Sequence, residues 1–164
     1  MLELLTAIGI VAILSVLIIG ATGTLRQRAR RAHCVQNLKS LYAGAELYLQ
    51  QQGHWPQINV DVTAETADED YAAQWIAALE PFGVTRKTWI CPEIETLVRD
   101  PDASAAENAR LDYLPMPFDD KPTTPHEWPN QPWFIERGNV HGNGNLIIFT
   151  DGHVGDANEL APRR

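Results

Sequence analysis

The sequence lacks most of the features that announce an enzyme. It has no nucleophile-elbow sequence, no phosphate-cradling glycine loop, no His-Glu-x-x-His and no Cys-x-x-Cys pair, so the corresponding hydrolase, nucleotide-binding, metalloprotease and dithiol classes find no support. The glycine-rich stretch His141-Gly142-Asn143-Gly144-Asn145 leads into a strand-like run rather than a helix and makes a poor phosphate binder. Proline is missing from the first 55 residues, so nothing there breaks a helix. Basic residues number 13 against 21 acidic ones, a net charge of -8 that argues against a nucleic-acid-binding face. The balance is uneven. The first 40 residues hold five basic side chains and one acid, and the remainder eight and twenty, so a basic collar precedes an acidic head whose charge reads as a solvated surface.

What is present begins with an apolar run from Met1 to Leu25, in which Glu3 is the lone ionisable side chain. As a helix, Leu4 to Leu25 covers about 33 Å, enough to cross a hydrocarbon core of about 30 Å. A carboxylate in such a segment either meets a partner charge or lies close enough to the terminus to reach water. A signal peptide fits poorly: no Lys or Arg precedes the run, the run is too long, and Gly20-Ala21-Thr22-Gly23 is a weak cleavage site.

Arg26, Arg28, Arg30 and Arg31 follow at once, and apolar residues then recur at helical spacing through Leu25, Ala29, Ala32, Val35, Leu38, Tyr42, Ala45 and Leu49. Gly53 stands where a helix would end in a left-handed residue. The pattern predicts one helix from near residue 2 to near residue 52, about 75 Å long. Residues 1–25 form its lipid or filament-core half, residues 26–52 its amphipathic half, and residues 53–164 a small head. The fold class expected is α+β, with the long helix packed on a small antiparallel sheet.

Within the head, Thr66 or Asp68 can cap a short helix through Leu79 that Pro81 and Gly83 stop, with Tyr71, Ala72, Trp75, Ile76 and Leu79 as core. Residues 99–110 read as a surface helix or loop, and Leu111–Leu114 as a first strand. Six prolines from Pro115 to Pro132 predict a long surface loop outside any sheet. Asn145–Thr150, Asp151-Gly152 and His153-Val154 read as a β-hairpin with a two-residue turn.

Met1-Leu2-Glu3-Leu4-Leu5, the apolar run, Arg30-Arg31-Ala32-His33-Cys34-Val35-Gln36-Asn37-Leu38-Lys39 and Tyr48 resemble the N-terminal helix of type IV pilins and type II secretion pseudopilins. His141, nine residues, then Asp151-Gly152 is similar to the subfamily defined by that spacing, as is Trp89-Ile90-Cys91-Pro92 to its aromatic-x-Cys-Pro segment. The resemblance implies a non-enzymatic structural subunit of a type II secretion pseudopilus or type IV pilus-like filament. It implies a single-pass inner-membrane protein with its head facing the periplasm until assembly. Its partners would be other copies and related pilin-like subunits, an inner-membrane assembly platform, and a prepilin peptidase that trims and N-methylates the precursor. Glu3 would neutralise the terminal amine of a neighbour in the filament. Taken alone, the four arginines would instead keep the head in the cytoplasm; the outward orientation follows the resemblance. The family places this Glu fifth in the mature chain, so the pattern implies a true N-terminus two residues upstream of Met1, after a basic leader ending in Gly. Gly20 stands where many relatives carry a kinking proline.

Cys34 and Cys91 offer one disulfide in an oxidising compartment, or two buried small hydrophobes. Asp-Gly suits a tight turn; alternatively Asp151 with His141 or His153 binds a metal. That set is too small for calcium, and its imidazoles favour a transition metal. No cofactor is expected, with a bound metal such as calcium left open. The rival readings are a single-span anchored extracytoplasmic binding module and, less favoured, a metal-dependent hydrolase using His141, Asp151 and His153.

Overall fold

The computed structural model describes residues 2–60, 63, 67–97, 110–142 and 144–160, and along the N-terminal helix the side chains of Thr6, Ile8 and the residues from Gly23 onward. Helix α1 runs without interruption over Leu2–Gln52, as the 3.6-residue period and the absence of proline require. It ends where Gly53, at φ 75°, donates its backbone N–H to Leu49 O at 2.9 Å. Helix α2 spans Ala67–Leu79, with Asp68, Glu69 and Asp70 in its first turn facing the positive end of the helix dipole. A 3-10 turn over Glu80–Phe82, holding Pro81, and Gly83 at φ 84° stop it. Helix α3 is short, Pro92–Leu97, and follows a 3-10 turn at Arg86–Trp89.

The head's sheet has four antiparallel strands in sequential order: β1 Tyr113–Pro115, β2 Pro132–Glu136, β3 Leu146–Phe149 and β4 Val154–Asp156. All four residues of β3 are buried, as expected of an inner strand reading Leu-Ile-Ile-Phe. Cys34, Leu38, Leu41, Ala45 and Leu49, spaced three or four apart, put one stripe of α1 into the core. There they meet a cluster of large rings. Trp55 lies edge-on to Trp75, Trp133 and Phe118, and Trp89 edge-on to Phe134. Where α1 passes Val84 it carries Gly44; a Cβ there would stand 2.3 Å from Val84 Cγ2, so the close approach depends on that missing methyl.

Three expectations change. Among the described residues no helix is long and apolar enough to cross a membrane. The single-pass inner-membrane placement with a periplasmic head is therefore withdrawn, and with it the membrane-spanning first half of α1. From Gly23 onward the helix carries Arg26, Arg28, Arg30, Arg31 and Lys39, and its apolar side narrows to one stripe. The proline-rich segment is not wholly outside the sheet. Pro115 ends β1, where it pairs with Phe134, and Pro132 begins β2. Strand ends on this sheet tolerate a missing N–H. The β3–β4 hairpin forms, but its turn is longer than two residues. Gly152 N donates to Phe149 O at 2.9 Å and Phe149 N to His153 O at 3.1 Å. Gly152 alone takes a positive φ, 77°, and Asp151 does not. This is a three-residue loop closed by a left-handed glycine. Residues 98–109 and Thr66 lie outside the described residues, as does the side chain of Glu3.

Candidate functional site

Four segments meet beneath the sheet. Cys34 comes from α1, Cys91 from the residue before α3, Glu136 from the end of β2, and His141 from the β2–β3 connection. All four are buried, and one ligating atom from each lies within 4.8 Å of the others. Cys34 Sγ and Cys91 Sγ are 2.7 Å apart. Glu136 Oε1 and His141 Nε2 form a 3.2 Å hydrogen bond. Glu136 Oε2 and His141 Nδ1 are buried with no hydrogen-bond partner.

A surrounding ring holds these groups in place. Asp112 Oδ2 accepts the backbone N–H of Cys91 at 2.8 Å and Arg110 Nη2 at 3.0 Å, and Arg110 Nε lies 2.9 Å from Asp112 Oδ1. Asn37 Nδ2 donates to Ile90 O at 2.9 Å, tying α1 to the backbone just before Cys91. Arg30 of the basic collar pairs with Glu93 in α3. The β2–β3 connection is shaped by Asn139, whose Oδ1 accepts the N–H groups of Gly142 and Gly144 at 3.1 and 3.0 Å.

The electrostatics follow from burial. Removal from water, with the Cys91 thiol beside it, pushes the Glu136 carboxyl up to about 8 against the opposing pull of His141. Hydrogen bonding to Cys34 and burial raise the Cys91 thiol, while the same contact lowers Cys34. Burial, then the nearby sulfurs, raises the Tyr113 phenol. A carboxyl, two thiols and an imidazole are thus held close together in a dry site.

The structure brings together Cys34, Cys91 and His141, and adds Glu136, which the sequence did not single out. Asp151 and His153 belong to a separate surface group. Asp151 Oδ1 accepts the backbone N–H of His153 at 3.0 Å and lies 2.5 Å from its Nδ1, while His153 Nε2 lies 3.2 Å from Glu159 Oε2. Gly152 has a reason of its own. Its position would put a Cβ 3.1 Å from Tyr42 Cε1, and the Tyr42 hydroxyl donates to Thr150 O at 2.9 Å, so the turn sits directly on α1. The His-to-Asp-Gly spacing therefore spans two points where the head meets α1: His141 beside Cys34, and Gly152 against Tyr42. Comparison with protein-family models, with curated proteins and with solved structures finds no match to this chain.

Proposed function

We propose that this chain is a non-enzymatic structural subunit of a pilin-like filament, of the secretion-pseudopilus or type IV pilus kind, held together by packing of its N-terminal helices. The observation that carries the reading is the division of labour along α1. The predicted stripe runs from Leu25 to Leu49, yet the head covers it only from Cys34 onward; Leu25, Ala29 and Ala32 remain exposed, Leu25 by 59%. Ile8, further up the same helix, is also 59% exposed. An apolar stripe that continues past its own head is suited to neighbouring copies. The N-terminal and His-to-Asp-Gly motifs point the same way. The partners are other copies, related subunits, assembly machinery and a processing peptidase, and Glu3 is the residue assigned to assembly.

Cysteine placed at Ala29, in the full chain expressed in its host, tests this. Oxidative crosslinking of the sheared surface fraction should yield a ladder of multimers, with far less from a cysteine at Leu97 in the head. Monomer alone, or equal ladders from both positions, contradicts the proposal.

A further inference from the structure

We propose that Cys34, Cys91, Glu136 and His141 form a structural site for one thiophilic divalent metal ion, with zinc the best fit. The donor set is the first reason. Two sulfurs and an imidazole select zinc or a similar transition metal over calcium or magnesium, which take oxygen ligands. The number is the second: four protein donors with no exposed position match a closed structural centre rather than a catalytic one.

The third reason is what the site leaves unsatisfied. A disulfide would join the two sulfurs and leave Glu136 Oε2 and His141 Nδ1 buried without partners. An ion engages the carboxylate and the imidazole as well as both sulfurs. Ligand atoms around tetrahedral zinc stand about 3.3–3.8 Å apart. The sulfurs, now at 2.7 Å, would separate by about 1 Å and the outermost donors would close in by a similar amount. The backbone at Cys91 is already fixed by Asp112 and Asn37, so these two act as positioning residues.

Loading forms two sulfur–metal bonds, one oxygen–metal bond and one nitrogen–metal bond. It releases to solvent whatever protons the two sulfurs and the carboxyl carry, since only the deprotonated forms ligate. No electron is transferred. The product joins α1, the segment before α3, the end of β2 and the β2–β3 connection at a single point. The inference is independent of the filament reading, because it concerns how one chain holds its helix to its head.

The test uses the full chain, reduced and stripped of metal, titrated with cobalt(II) and then zinc(II). The expected result is one cobalt per chain with a thiolate-to-cobalt charge-transfer band, displacement by zinc, and release of protons on loading. Cys34→Ser should abolish the band, and Glu136→Gln, which preserves shape, should weaken zinc binding about tenfold or more. Circular dichroism of the metal-free variants checks that each is folded. His153→Ala, at the surface group, should bind as the parent does. A folded, reduced chain that gives no charge-transfer band overturns the proposal. So does a band that survives Cys34→Ser but is lost in His153→Ala, or a Cys34–Cys91 disulfide that forms on air oxidation despite equimolar zinc.

Discussion

Two histidine–carboxylate pairs lie at the two ends of one short stretch of chain, and they behave as opposites. His141 meets Glu136 at 3.2 Å, with both side chains almost wholly removed from water. His153 meets Asp151 at 2.5 Å with more than a third of each side chain exposed. The shorter contact is the weaker support, because water screens it and solvates either partner when the other leaves. The longer one sits where nothing else can compensate. Distance alone would have ranked them the wrong way round; burial and the number of segments brought together decide. The buried pair joins the head to α1 through Cys34, whereas the exposed pair shapes a turn that Gly152 and Tyr42 already hold on the helix.

The largest expected effect comes from His141→Ala. It strands the Glu136 carboxyl in a dry site and should cost about 3 kcal/mol, read from urea unfolding, the upper end of the cost of leaving a buried hydrogen-bonding group without its partner. Next comes Gly152→Ala, which forces a Cβ into a left-handed position 3.1 Å from the Tyr42 ring and should lose about 1–2 kcal/mol in the same assay. A loss as large as that of His141→Ala would remove the ranking.

The pH response separates the pairs further. The Glu136 carboxyl, raised to about 8, binds a proton in the metal-free folded chain that the unfolded chain has already shed. Its contribution is therefore full below the ordinary carboxylate range and lost as pH rises toward 8. Glu136→Gln should flatten that part of the stability profile of the metal-free protein. His153 is pulled down by partial burial but held above the ordinary imidazole value by Asp151 and Glu159. The Asp151 carboxyl is lowered, first by the His153 backbone N–H. The exposed pair thus helps most between the ordinary carboxylate and imidazole ranges. It loses the His153 share as pH rises through the shifted imidazole value, and the Asp151 share as pH falls through the lowered carboxyl value. The smallest effect is Asp151→Asn: well under 1 kcal/mol, with a downward shift of the His153 titration seen by NMR. An unchanged His153 titration would show that the pair is not formed in solution.

Much of this arrangement was legible beforehand, and the exceptions have physical causes. Helix α1 and α2 follow from period, proline and glycine, which act locally. Cysteine count singled out Cys34 and Cys91, and spacing singled out His141. Glu136 stayed hidden because it ends a strand, Pro132–Glu136, that starts on the last proline of a stretch read as loop, and residues 133–136 carried no signal that singled them out. Its partners come from segments far away in the chain. The hairpin was legible but its turn was not. Asp-Gly serves two-residue and three-residue loops alike, and here Thr150, whose N–H donates to Gln131 O and whose carbonyl accepts from Tyr42, belongs to the loop. The apolar N-terminal run suggested a membrane span, which no helix among the described residues provides.

If the buried cluster, not the surface pair, fastens the head to α1, loosening it should expose the helix side of the cluster first. The native-state labelling rate of Cys34 by a thiol reagent, in reduced metal-free protein, tests it most directly, because this wholly buried sulfur is reached only when helix and head part. Labelling should run about a hundredfold faster in His141→Ala, the rate equivalent of about 3 kcal/mol, and change little in His153→Ala. Equal acceleration in both variants, or none in His141→Ala, would contradict it.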